Sequence, residues 1–420
     1  MSTEHAIADL SVVRSRFPAL SRTGEDGRPV IYADAPGGSQ VPQTVIDAIA
    51  GYLRSSNSNL HGAFATSQET DEVVDTARAA AADMMGADVG EIVFGPNATT
   101  LLLHLSRSFA KTIGPGDEVV VTKLDHDANV RPWVLAAQDA GATVRWVDVH
   151  EDDVTLDLNS FDTALTDRTR LVAFTLASNA VGTVPAAAEL IQRVHAVGAL
   201  AAVDGVHAAQ HRSLDLHGLD ADILACSPYK FFGPHQGLLA VRRELLETWT
   251  PYKLRPAPDE APERWETGTQ NHEALAGVTA AIDYLADVGR THGEPNGGSR
   301  RDALVAAFDA IGRHERILSE RFLAGLESLP SVRLWGIRET DRVQERTPTF
   351  AIRVGDQEPL KTATELGRRG IYVWDGDYYA IEIMERLGLL STGGAVRIGF
   401  CHYHMVDEVD RVLEALGDLA

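Results

Sequence analysis

The sequence predicts an α/β fold in which a mainly parallel sheet carries helices on both faces and a smaller α+β unit follows. Three observations lead there. Short apolar runs, many of them β-branched, alternate with helical patterns through the middle of the chain, and that alternation calls for right-handed crossovers onto parallel strands. A chain of 420 residues exceeds the size at which one core stops growing, so a large and a small unit are expected. Polar residues also fall at the carboxyl ends of successive strand patterns, where sheets of this class bind ligands.

The predicted strands of the large unit are 117–122, 143–149, 170–176, 199–204 and 222–227, each short and apolar enough to be buried on both faces. Helical patterns at 101–112, 130–140 and 186–197 alternate with them, and a long helix is predicted over 273–288. The Gly-, Pro- and Ser-containing stretch 289–300 reads as a boundary loop. Beyond it the order is a long helix 301–328, strands 332–337 and 347–354, a helix 359–369, strands 371–374 and 395–400, and a closing helix 405–419. This divides the chain into a large unit, 30–288, and a small one built from 1–29 with 289–420. No internal repeat is present.

Composition excludes several functions. Hydrophobic residues make up 44% and charged residues 23%, which is ordinary for a packed globular chain. A formal net charge of -22 opposes nucleic acid as a partner, since phosphate backbones are bound by surplus Lys and Arg. The two cysteines, Cys226 and Cys401, form no CxxC pair, so no metal site or disulfide framework is readable. Met1 to Phe17 lacks an apolar core of the signal-peptide kind, and no run approaches the roughly 18 apolar residues of a membrane span. The default expectation is a cytoplasmic protein with no membrane partner.

The most informative stretch is Ser227-Pro228-Tyr229-Lys230-Phe231-Phe232-Gly233-Pro234, with Asp204 upstream at the end of a predicted strand. A lysine attacks an aldehyde only as the neutral amine, and an apolar wall of two phenylalanines and a proline favours that form. A carboxylate such as Asp204 could hold a pyridinium protonated. A surface lysine beside a buried loop would have the same local sequence.

Other strand ends add to this. Gly95-Pro96-Asn97-Ala98-Thr99-Thr100 follows the apolar run Ile92 to Phe94 and opens a helix, which is either an anion cup of free N–H groups or an ordinary capped helix. His126, in Leu124-Asp125-His126-Asp127, could stack on an aromatic cofactor and carry a proton, or be a solvated loop histidine. Asn179, in Ser178-Asn179-Ala180, could donate to a ring oxygen or form a turn. A packing explanation must be invoked separately at each of the four ends.

With these motifs in order, the chain resembles the class V aminotransferase group of fold type I pyridoxal phosphate (PLP) enzymes, and within it the cysteine desulfurase-like branch. The likeness runs from Tyr32-Ala33-Asp34 through Asn59-Leu60-His61-Gly62 to the end of the chain. It implies a mainly parallel sheet of the seven-stranded type with a small α+β domain, pyridoxal 5'-phosphate as cofactor, an amino acid substrate and a homodimer with shared sites. Lys230 would then bind the cofactor covalently and move the substrate's α-proton. Asp204 would pair with the pyridine nitrogen, His126 stack on the ring and Asn179 reach the ring hydroxyl. Ala98, Thr99 and Ser227 would contact the phosphate, and Thr269 the phosphate of the neighbouring subunit. Arg397, in Val396-Arg397-Ile398-Gly399, matches the arginine that grips the substrate carboxylate, and His61 is placed on the substrate side.

The chain also departs from that pattern. His207 stands where a glutamine is usual, and Tyr229 where a histidine precedes the lysine; both can still hydrogen-bond to cofactor. In the loop Tyr372-Val373-Trp374-Asp375-Gly376-Asp377-Tyr378-Tyr379-Ala380, Trp374 occupies the place of an arginine and Tyr379 that of the reactive cysteine. Cys226 and Cys401 are expected to be packed hydrophobes. Trp374, Tyr378 and Tyr379 are either an aromatic wall of the substrate site or a packed hairpin. The expected activity is a carbon-sulfur lyase working by β-elimination without a catalytic cysteine. An aminotransferase or epimerase on the same scaffold, or a non-catalytic PLP-binding protein, is the alternative.

Overall fold

β-Branched and apolar runs do form strands, and the order in which they pair puts five carboxyl ends on one edge of a sheet. The computed structural model describes Ile7, residues 9–25 and residues 27–420; residues 1–6 and 8 of the Met1 to Phe17 stretch lie outside the described residues. The large sheet consists of β1 (Ile92–Gly95), β2 (Glu118–Thr122), β3 (Thr143–Val147), β4 (Thr169–Thr175), β5 (Leu200–Asp204), β6 (Ile223–Cys226) and β7 (Gly237–Val241). Their spatial order is β1-β7-β6-β5-β4-β2-β3. The pairs β2/β3, β2/β4, β4/β5 and β5/β6 are parallel, while β7 runs antiparallel to both β1 and β6. This is the seven-stranded, mainly parallel sheet that the sequence resemblance implies.

Each strand of the central set is buried on both faces, as a doubly covered sheet requires. One face packs Leu102, Phe109 and Trp133 against Val119, Val121 and Ala173. The other packs Val120, Val172 and Val203 against the layer that holds Leu190, Ile191 and Phe161.

A second, four-stranded antiparallel sheet has the order β10-β11-β9-β8, with β8 (Val332–Trp335), β9 (Thr349–Val354), β10 (Trp374–Gly376) and β11 (Ala395–Gly399). Its core joins Phe350, Ile352 and Ile398 to Leu318 and Phe322 of the Arg300–Leu326 helix and to Val409 and Val412 of the Val406–Leu419 helix. Among the described residues no helix is long and apolar enough to cross a membrane.

Several boundaries differ from the sequence expectations, each for a local reason. The helix expected from Leu101 begins at Ala98, because the Asn97 side chain accepts from the Thr100 N–H at 2.8 Å and caps it. The expected strand 371–374 is displaced to Trp374–Gly376; Ile371 instead bridges in parallel to Ile31. The expected boundary loop 289–300 is mostly not a loop start at 289, since the preceding helix runs from His272 to His292 and the next starts at Arg300. Helices Gln43–Ser55 and Ala65–Met85, both packed on His272–His292, and strand β7 were not foreseen.

The helix pair His272–His292 and Arg300–Leu326 crosses at Gly289, where an added Cβ would collide with the Ala303 carbonyl. Backbone on both sides leaves nothing flexible to yield. Gly289→Ala is therefore expected to destabilise the fold by about 1–3 kcal/mol, read as a lower urea midpoint at unchanged slope.

Candidate active site

The carboxyl ends of β1, β2, β4, β5 and β6 deliver Ala98 and Thr99, His126, Asn179, Asp204, and Ser227 with Lys230, respectively, to one edge of the sheet. Together with His207 and Tyr229 they line one cavity. Of the cofactor-binding residues expected from the sequence, Thr269 alone is elsewhere: it is exposed, on a neighbouring pocket with Thr100, His104 and Gln236.

Lys230 ends a short 3₁₀ turn, Pro228–Lys230, directly after β6. Its side chain is 7% exposed, and its Nζ donates to the Pro36 carbonyl. Burial pulls its pKa from 10.5 down to about 7, Arg397 pushes the same way, and Asp204 and Asp34 oppose. A neutral amine, the nucleophilic and basic form, is therefore accessible near pH 7.

Asp204 closes β5, and its Oδ1 accepts from the Val206 N–H at 2.7 Å. Burial raises its pKa to about 6, and that hydrogen bond and Lys230 lower it only in part. A buried carboxylate so poorly compensated favours a cationic partner, such as a protonated ring nitrogen. His126 accepts from the Ala128 N–H on Nδ1 at 3.0 Å, so its neutral ring carries the proton on Nε2. Burial holds its pKa down at about 4, with Lys230 and Arg397 adding to the effect. Neutral at physiological pH, the ring suits stacking. Asn179 donates from Nδ2 to the Tyr378 carbonyl at 2.9 Å, while its buried Oδ1 has no partner.

Ala98 and Thr99 lie in the first turn of a twelve-residue helix whose cap serves the Thr100 N–H. Their own N–H groups have no intrahelical acceptor, which suits an anion at that end. Ser227 is buried beside them in the same cavity. His207 is buried, and its Nε2 meets Thr347 Oγ1 at 3.2 Å and Thr349 Oγ1 at 3.0 Å, leaving Nδ1 unpartnered. Tyr229 stacks on His235, with ring centroids 5.0 Å apart.

An open cleft continues from Lys230 past Arg397, Trp374, Tyr378 and Tyr379. Arg397, on β11 opposite Trp374, is buried; its Nη1 donates to the Asn179 carbonyl at 2.8 Å, its Nε is unpartnered, and its guanidinium lies 4.4 Å from the Tyr378 ring centroid. Burial lowers its pKa to about 10, which leaves it cationic at neutral pH. Tyr378 and Tyr379 both have φ near +56°, a conformation that costs non-glycine residues about 1–3 kcal/mol each. It is held by Tyr378 Oη on the Ala395 carbonyl, by the Tyr379 carbonyl accepting from the Asp127 N–H at 2.7 Å, and by Tyr379 stacked on His126 at 5.6 Å. Tyr379 is 70% exposed and Trp374 53%, so they form a cleft wall and not a packed hairpin; Tyr378 alone is packed. His61 is not brought to the cleft of this chain: it is exposed and pairs with Asp71 at 3.2 Å.

Sequence reasoning missed two groups here. The Pro36 carbonyl anchors Lys230, and a backbone acceptor leaves no residue-type signal. Asp34, which bridges to Gly399, is pushed to a pKa of about 6 by burial, partly offset by its own backbone N–H, Arg397 and Lys230, and its Oδ1 has no partner. It was quoted only as part of a motif, and its interaction with both Lys230 and Arg397 depends on the second sheet docking beside the first.

The donor set fits pyridoxal phosphate: a buried amine of lowered pKa, an undercompensated carboxylate, a neutral histidine face, an unpartnered amide oxygen and free N–H groups at a helix start. The family model for class V aminotransferases matches residues 31–412. A probable cysteine desulfurase of Mycobacterium leprae is 33% identical, covering 96% of this chain and 95% of its own; one of Streptomyces coelicolor is 31% identical, covering 98% and 97%. The apo cysteine desulfurase of Thermococcus onnurineus superposes with a TM-score of 0.86 at 27% identity over 97% of each chain. A C-DES variant with glycine covalently linked to its PLP cofactor shares the fold, with a TM-score of 0.76 at 20% identity over 97% of this chain and 99% of that one. This chain belongs to the class V aminotransferase family of pyridoxal phosphate-dependent enzymes, on its cysteine desulfurase-like side.

Proposed function

We propose that the enzyme is a carbon-sulfur lyase that expels a sulfur leaving group from the β-carbon of an amino acid without using a protein thiol. The observation that carries this is the fate of its two cysteines. Cys226 and Cys401 are both fully buried, and burial pushes both thiols well above the ordinary range, so neither presents the thiolate that a sulfur acceptor needs. At the loop position where the resemblance puts a reactive cysteine stands Tyr379, in the cleft wall.

Bound pyridoxal phosphate supplies an electron sink for the bonds at the substrate α-carbon. Lys230, Asp204, His126 and Asn179 would hold its aldehyde carbon, pyridine nitrogen, ring face and ring hydroxyl, while Ala98, Thr99, Ser227, His207 and Tyr229 would surround the rest. Arg397 holds the substrate carboxylate in a two-pronged grip and thereby fixes which α-bond breaks. Lys230 Nζ takes the α-proton, a double bond forms between the α- and β-carbons, and the β-carbon to sulfur bond breaks with its electron pair leaving on sulfur. The sulfur departs as thiolate into the open cleft and takes its proton from water, while His126, whose neutral ring carries its proton on Nε2 and which lines both the cavity and the cleft, donates a hydrogen bond toward the leaving sulfur without giving up that proton. Hydrolysis of the unsaturated fragment gives keto acid and ammonia.

We further read residues 30–288 and 1–29 with 289–420 as two domains. The exposed Thr269, outside the Lys230 cavity of its own chain, supports a homodimer in which it reaches the partner's phosphate, with His61 likewise offered to the partner's substrate side.

Product identification tests the lyase: keto acid, ammonia and thiol in equal amounts support it. Aminated cofactor with a sulfur-containing keto acid would establish an aminotransferase, a D-amino acid an epimerase, and no spectral response to any amino acid a non-catalytic protein.

The lowered pKa of Lys230 has its own signature. The neutral fraction of a group with pKa near 7 rises from about a tenth at pH 6 to about nine-tenths at pH 8. The rate at which apoprotein takes up pyridoxal phosphate covalently is expected to rise about tenfold over that interval; a midpoint near the ordinary lysine value would refute the shift.

A further inference from the structure

We infer that a second cavity, away from Lys230, binds a small polyanion through phosphate or carboxylate groups. It has a volume of about 610 Å³, within the range of small-molecule sites. Its walls are the Arg300–Leu326 helix, the start of the Ala187–Ala196 helix, and the segments 208–213 and 343–348.

The charge around it runs against the rest of the molecule. The chain has 60 acidic and 38 basic residues, yet Arg212, Arg313 and Arg316 meet at this cavity, and none of the three forms an ion pair among the described residues. Arg212 spends one N–H on the Gln344 carbonyl; burial destabilises its cation, Glu315 offsets part of that and Arg316 adds repulsion. Planar guanidinium groups with free N–H donors recognise phosphate and carboxylate bidentately. An anion between them would relieve their mutual repulsion.

The floor is polar and incompletely bonded. His211 and Glu315, each 3% exposed, pair through Nδ1 and Oε2 at 2.8 Å. Their other polar atoms, His211 Nε2 and Glu315 Oε1, are buried without a partner, as is Ser213 Oγ, and all three residues line the cavity. Buried polar atoms are rarely left so. With Nδ1 donating to the Glu315 carboxylate, His211 Nε2 donates to an anion's oxygen in the imidazolium form of the ring; Ser213 Oγ can donate as well, and Glu315 Oε1 can accept from a protonated ligand hydroxyl. Ala188, in the first turn of a helix whose cap residue provides no side-chain acceptor, adds a free N–H at the same wall, while the Ala187 N–H donates to the Pro185 carbonyl at 2.9 Å. The cavity backs onto the catalytic one through the edge-to-face contact of His211 with His207, at 4.9 Å.

The test is calorimetric titration of the PLP-loaded enzyme with pyrophosphate and, separately, with citrate, so that the cofactor's own phosphate site is filled. Saturable binding of one or both probes is expected, weakened at least about tenfold in the double variant Arg313→Ala with Arg316→Ala. Both arginines are exposed, so the variant should keep its cofactor absorbance and melting temperature. Preference for pyrophosphate identifies a phosphate ligand and preference for citrate a polycarboxylate. The proposal is overturned if neither probe binds below about 1 mM, or if the double variant binds as tightly as the parent.

Discussion

Lys230→Ala is expected to lower turnover by at least about a thousandfold, because one amine serves both as the covalent anchor of the cofactor and as the base for the α-proton. The fold should survive. The ammonium is destabilised by burial, as its lowered pKa shows, and its one hydrogen bond is to the Pro36 carbonyl; its loss removes a desolvated charge, and Asp204 and Asp34, which lose part of their compensation, respond by taking up protons more readily. Borohydride reduction followed by denaturation separates the two states: cofactor stays with the parent protein and is released from the variant. Cofactor retained covalently in Lys230→Ala would show that another residue is the anchor.

Arg397→Ala is expected to raise KM for an amino acid by about a hundredfold, the worth of a charged, bidentate hydrogen-bonded contact, with a further loss in kcat because the α-bond is no longer oriented. Arg397→Lys should not rescue it. The guanidinium is used as a plane: one N–H donates to the Asn179 carbonyl, the face lies on Tyr378 and Nε is unpartnered. An ammonium reproduces neither the plane nor the fork. Spectral titration of the cofactor with amino acids and with the matching amines measures this directly, since an amine lacking the carboxylate should bind parent and variant alike.

What was legible in the sequence follows from what each signal depends on. The parallel strands were readable because burial on both faces makes them continuous apolar runs, and the residues at their carboxyl ends, Asp204, His126, Asn179 and Ser227, follow from strand direction alone. Strand β7 carries the same buried apolar run as its neighbours, but its antiparallel pairing with β1 and β6 is a matter of topology that no local pattern encodes. Asp34 and Pro36 gained meaning from contacts with residues more than 190 positions away, which no local pattern encodes. The loop at Tyr378 and Tyr379 shows the same limit: both aromatics were noticed, but that one packs on Arg397 while the other stands exposed against His126 depends on two successive left-handed residues. His61 and Thr269 lie outside the cavity of a single chain, and their assigned roles require a second copy.

The central claim is cleavage of the carbon-sulfur bond by elimination with no thiol from the protein. Its most direct test is to identify the products formed from cysteine and from S-substituted cysteines by the purified enzyme. Equal amounts of keto acid, ammonia and free thiol or sulfide, with no alanine, are expected. Alanine accompanied by sulfur bound to the protein would contradict the account, since it requires a cysteine to attack the substrate sulfur.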